Sequence, residues 1–194
     1  MSIFNVITSL FANQQALLNN NSDALIPLLA EATELIHETL ISGNKLISSA
    51  SEELEQCAKQ LSSMLINPEI IERPPLPCFY LAQHIASSEG TQFSLYYQEQ
   101  LKMVLKEGDT LVLFIGTRHA KSCYDWVNSS AFISDNVILF AAESSHLNWQ
   151  DILPRNSVLI EYKIHNEYEE KIFCSIFSSM LAELIEKRIF NTMD

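Results

Sequence analysis

Apolar residues recur along this chain in two rhythms. From Ser2 to Leu18, the residues Ile3, Phe4, Ile7, Leu10, Phe11 and Leu18 fall at helical spacing, with few charges to solvate the opposite side. Asn19-Asn20-Asn21 predicts a break. After it Ser22 or Asp23 can cap a second helix that buries Leu25, Leu28, Leu29, Ala32, Leu35, Ile36 and Leu40. Gly43 suits the left-handed position that closes this helix, so residues 1–42 read as a helical hairpin. Beyond it, short apolar runs alternate with amphipathic ones. Strands are predicted at Leu46–Ser49, Cys78–Leu81, Thr110–Ile115, Val137–Ala141 and Ser157–Tyr162. Helices are predicted near Glu52–Ile66, Thr91–Lys106 and Lys121–Ser130, with a long last one from about Asn166 to Phe190. Near-continuous apolar strands separated by helices imply a five-stranded parallel sheet covered on both faces. The expectation is one doubly wound α/β domain, with residues 43–194 as its body.

Composition narrows the partners. Twenty-four acidic against twelve basic residues give a net charge of −12, which argues against direct binding to nucleic acid or to an anionic membrane. It suits a basic protein partner, and it also serves solubility. Cys57, Cys78, Cys123 and Cys174 lie far apart and form no C-x-x-C pair, as in a reducing compartment. No Lys or Arg precedes Lys45, so the basic start of a signal peptide is lacking, and no apolar run is long enough to span a bilayer. A cytoplasmic protein is expected.

Candidate chemistry begins at the first strand-to-helix turn, Ser48-Ser49-Ala50-Ser51-Glu52-Glu53. Such turns bind anions because backbone N–H groups and the positive end of the helix dipole point into them. Phosphate-binding versions use glycines for close backbone approach. This one has none, and its two carboxylates answer the dipole themselves. Together with Gly43-Asn44-Lys45 before the strand and Glu72-Arg73-Pro74-Pro75-Leu76-Pro77 after the helix, the turn resembles the sugar isomerase (SIS) domains of the phosphoheptose isomerase/DiaA group. It is most similar to the non-enzymatic, initiator-associating branch. The likeness continues through Gly108–Leu113 and Thr117-Arg118 and returns in Leu181–Glu186.

The resemblance carries specific implications. Enzymes of the group place a His and, one turn later, a Glu on the first helix of the body, and a Gln and a second His on the last. The corresponding residues here are Gln60, Met64, Lys171 and Cys174. Met64 cannot abstract a proton, and a thioether suits a hard divalent ion poorly. No catalytic residue, metal or other cofactor is therefore expected. None of the five histidines stands at a recognised ligand spacing, and His84, His119 and His146 read as ordinary loop residues near strand ends. The loop Ile115–Ser122 retains anion-binding character. Thr117, Lys121 and Ser122 are its candidate phosphosugar ligands, although Gly116 and His119 depart from the group's Ser-Thr-x-Gly-x-Ser pattern.

At the far end, Ile189 continues the apolar stripe of the last helix, whereas Phe190 falls on the polar side with Lys187. An exposed aromatic there would make a partner anchor. The resemblance assigns Ile189 and Phe190 to contact with the replication initiator DnaA, and it implies a homotetramer packed through the N-terminal helices. The reading is a non-catalytic adaptor that promotes initiator assembly at the origin by multivalency. The alternative is a phosphosugar-binding regulator or a residual sedoheptulose 7-phosphate isomerase.

Overall fold

The computed structural model describes residues 2–68, 72–82, 90–129, 134–144 and 146–190. Five strands, β1 (Leu46–Ala50), β2 (Cys78–Tyr80), β3 (Thr110–Ile115), β4 (Asn136–Ala142) and β5 (Asn156–Tyr162), form one sheet in the order β2-β1-β3-β4-β5. Every pairing is parallel. Among the described residues five α-helices accompany them: α1 (Ile3–Ile41), α2 (Glu55–Ile66), α3 (Gly90–Val104), α4 (Ala120–Ser129) and α5 (Glu167–Phe190). The period-2 alternation of side chains splits the core in two. Val112, Phe114, Ile138, Phe140 and Ile160 pack with α1, α2 and α5 on one face. Leu111, Leu113, Ile115, Val137 and Leu139 pack with α3, α4 and Trp149 on the other. The doubly wound, two-faced sheet expected from the sequence is present.

The helical hairpin is not. Residues 3–41 form a single helix that runs through Asn19-Asn20-Asn21 and keeps Pro27 inside it. Asparagine in a helix interior costs only tenths of a kcal/mol relative to better formers, and here a tertiary contact offsets it. Asn21 is buried, donates to Leu17 O and Lys163 O at 2.9 and 3.1 Å, and accepts from Lys163 N–H at 2.8 Å. Its amide thereby caps the chain leaving β5. The far end behaves as read. Gly43, at φ +79°, closes the helix with N–H bonds from Gly43 and Asn44 back to Leu40 O and Thr39 O. At the near end Ile3, Phe4, Leu10 and Phe11 are more than half exposed within the single chain. Among the described residues no helix is long and apolar enough to cross a membrane.

The strand order fixes where a site can form. The chain leaves β1 for β2 on one side of it and returns to β3 on the other. The loops after β1 and β3 therefore diverge, opening the crevice at which open α/β sheets bind ligands.

Candidate functional site

In that crevice, Ser51 follows β1 and Gly116 follows β3. Gly116 N–H donates to Ser51 Oγ at 2.8 Å, and Ser51 N–H donates to Phe114 O at 2.9 Å, tying the two loops together. A single 3-10 turn, Glu52–Leu54, then carries Glu53 across to the second loop. Glu53 Oε1 accepts the His119 N–H at 3.1 Å, and Oε2 lies 2.6 Å from His119 Nδ1. The Glu53 side chain is 1% exposed. Gly116 makes room for it, since a Cβ at that position would stand 2.3 Å from Glu53 Cγ.

A second carboxylate arrives from α5. Glu170, fully buried, accepts the Thr117 N–H at 3.1 and 3.2 Å on its two oxygens and the Thr117 hydroxyl at 3.0 Å. Behind it the Cys174 thiol donates to Tyr162 Oη at 3.2 Å, and Tyr162 donates to Glu170 Oε1 at 3.3 Å. Burial drives the Glu170 carboxyl above the ordinary range against the opposing bonds from Thr117, and the charge of Glu53 adds to the rise. For Glu53, burial also works upward, but the bonds from His119 and the backbone outweigh it and hold its pKa below the usual value. Burial pushes both Tyr162 and Cys174 well up, so this chain of donors stays protonated at neutral pH.

The expected phosphosugar ligands do not converge. Thr117 lies in the crevice but is spent on Glu170. Lys121 is exposed and pairs with Asp125 one turn along α4 at 2.6 Å, and Ser122 is also exposed. The positions expected to meet an external anion instead meet two of the protein's own. His119, read as an ordinary loop histidine, belongs to the crevice as the partner of Glu53. Glu170 was overlooked altogether. Its signal was a carboxylate three residues before Phe173 and seven before Phe177, on the buried stripe of α5. His84 lies outside the described residues.

The positions where the resemblance places acid/base chemistry form a different environment. Gln60 on α2 donates to Ser179 Oγ at 2.6 Å and accepts from Ser175 Oγ at 2.8 Å, both on α5. Gln56, Lys59, Ser63 and Met64 join Gln60 and Ser179 around an open groove of about 480 Å³. Cys174 is buried and Lys171 is exposed. Among the described residues no group of three or more His, Cys, Asp or Glu side chains is placed to hold a metal ion.

The C-terminal anchor also differs from expectation. Phe190 is half-buried rather than exposed, with the Arg73 guanidinium 5.8 Å above its ring. Ile189 and Phe190 both pack against the core on the α1/α2/α5 face. Arg73 donates to Glu186 Oε1 at 2.8 Å and to the Leu65 and Met64 carbonyls at 2.9 and 3.0 Å. It offers a flat cation on the side of the helix that sequence position alone marks as solvated. Residues 191–194, the polar tail, lie outside the described set.

No protein-family model matches the chain. It is 28% identical over 95 residues to the phosphoheptose isomerase of Shewanella piezotolerans, a match covering 47% of this chain and 48% of that protein. The phosphoheptose isomerase of Shewanella halifaxensis is 30% identical over a segment of the same length and coverage. The match thus spans about half the length of these relatives. In three dimensions the chain is similar to a phosphoheptose isomerase from Francisella tularensis, with a TM-score of 0.74 at 19% identity over 96% of this chain and 100% of that one. The phosphoheptose isomerase from Neisseria gonorrhoeae gives a TM-score of 0.66 at 13% identity, with the same coverage. Sequence relatives and structural neighbours together support the phosphoheptose isomerase (SIS-domain) likeness. The special closeness to the initiator-associating branch finds no confirmation among them.

Proposed function

We propose that this chain is a non-catalytic protein of the phosphoheptose isomerase type, one that binds a partner rather than turning over a sugar phosphate. The observation that carries the reading is the pair Glu53 and Glu170, which take the N–H and O–H donors of the loop after β3. A substrate phosphate would have to compete with both. The residues at the acid/base positions strengthen it, because neither Gln60 nor Met64 accepts a proton near neutral pH and the Met64 thioether is a soft donor.

The finer reading is an adaptor for the replication initiator DnaA, acting as a tetramer that gathers several initiators at the origin. Its support is the Gly43–Pro77 resemblance, the charge of −12, and the exposed apolar start of α1, which suits burial between subunits. Ile189 and Phe190 enter this reading as the ordered end of α5, and a partner contact there would include the Arg73 side of the helix. Two measurements test it: sedoheptulose 7-phosphate isomerisation by the purified protein, and capture of purified DnaA at a confirmed oligomeric state. The expected result is no turnover with specific capture, abolished in Phe190→Ala. Turnover would instead favour the residual isomerase, the reading nearer to the relatives named above. Stabilisation by sugar phosphates without turnover would favour the phosphosugar-binding regulator.

A further inference from the structure

The loop after β3 is built to hold negative charge, and that charge is internal. Three donors on two residues of one turn, Thr117 N, Thr117 Oγ1 and His119 N, all end on carboxylate oxygens, and His119 Nδ1 lies against a fourth such contact. They sit just ahead of Ala120, where α4 opens with its positive end toward them. The acceptors come from elements far apart in sequence, the 3-10 turn before α2 and the first turns of α5. The donors lie at the rim of the crevice, whereas the carboxyl groups that meet them, the Glu53 side chain and Glu170, are buried, and bonds from N–H and O–H groups to a carboxylate are stronger than those to a neutral acceptor.

Two carboxyl groups together offer several acceptor oxygens, as a phosphate monoester does. The space that Glu53 uses depends on Gly116. Glu53 lies where any side chain at position 116 would begin. We infer that Glu53 and Glu170 are built-in anions filling a phosphate-sized cradle, so that an external phosphate monoester binds here only when they are displaced. Tethered in place, they act at an effective concentration that a free ligand at ordinary levels does not match.

The inference rests on the crevice as an anion cradle and not on the absence of turnover, so the two can fail separately. Glu53→Ala removes one carboxylate, and Glu170→Gln keeps an acceptor for Thr117 while removing the other charge. Melting temperature and isothermal titration would be measured for the parent and the E53A/E170Q protein with inorganic phosphate and ribose 5-phosphate. Potassium chloride at matched ionic strength serves as the control. The expected result is an affinity gain of ~tenfold or more for both phosphate ligands in the double variant, with the single variants between. Far-UV circular dichroism and a cooperative melt establish that the variant is folded. If it is not, Gly116→Ala decides, because its methyl group must expel Glu53 and produce a gain in the same direction. A folded variant no better stabilised by phosphate than by chloride would overturn the inference. So would a parent protein that binds phosphate as tightly as the variant. Turnover by the parent would overturn only the non-catalytic reading.

Discussion

Two neighbouring regions of this molecule treat polar groups in opposite ways. In the crevice between the β1 and β3 loops, donors preset by the backbone are closed off by two carboxyl groups, Glu53 and Glu170, whose side chains are buried. In the α2/α5 groove, where the resemblance expects charge and metal, neutral groups bond one another, Gln60 to Ser175 and Ser179, and the space stays open. The difference follows from what each backbone leaves unsatisfied. A loop at a helix N-terminus presents N–H groups that demand acceptors wherever ligand is absent. Two helices packed side by side have satisfied backbones, so the side chains between them are free to become neutral without penalty.

The largest change should come from the frame both regions share. Arg73 joins the end of α2 to Glu186 on α5, with its side chain only 2% exposed. Arg73→Ala strands that carboxylate and several carbonyls, and should lower stability by about 3–5 kcal/mol in urea denaturation. Arg73→Lys should recover only part, because a point charge cannot reproduce the fork. Next, Glu170→Ala leaves the buried Tyr162 hydroxyl without its acceptor and should cost about 1–3 kcal/mol, read the same way. The equivalent truncation in the groove, Gln60→Ala, should cost at most about 1 kcal/mol, since water can reach the two serines. If Gln60→Ala proved as damaging as Glu170→Ala, the contrast between a demanding cradle and an indifferent groove would collapse.

The smallest effect is a slope with pH. The folded Glu170 pKa is raised, so the native state holds its proton over a range where the unfolded chain has released it. Stability should therefore fall as pH rises from the ordinary carboxylate range through the raised value. Glu53, with a depressed pKa, contributes the opposite sign lower down, and its stabilisation is lost as pH falls through the folded value. Glu170→Gln should flatten the upper decline and leave the acid limb in place, as measured by melting temperature against pH.

Much of the scaffold was legible in the chain. Strand positions followed from short apolar runs, since Thr110–Ile115 could only be buried on both faces, and the end of α1 followed from Gly43. The sequence misled wherever a distant partner overrode a local preference. Asn19-Asn20-Asn21 reads as a break because asparagine is a poor helix former, yet Asn21 finds the backbone of Lys163, 142 residues away. Phe190 reads as exposed from helix phase, yet Arg73 covers it. Glu53 was recognised as hostile to phosphate, but which donors it would occupy was invisible.

The sequence by itself determined an acidic α/β sheet, the stop of α1 at Gly43 and a strand-to-helix turn that carries carboxylates in place of glycines. Those properties rest on local spacing, composition and backbone sterics, which act within a few residues. Tertiary structure alone decided that Glu53 and Glu170 meet in one crevice, that Gly116 yields its side-chain space to Glu53, and that His119 closes the pair. Parallel pairing of β1 with β3 brings the first and second loops together, and α5 folds back across them from the end of the chain. Contacts of that range depend on the packed sheet, and no local pattern encodes them.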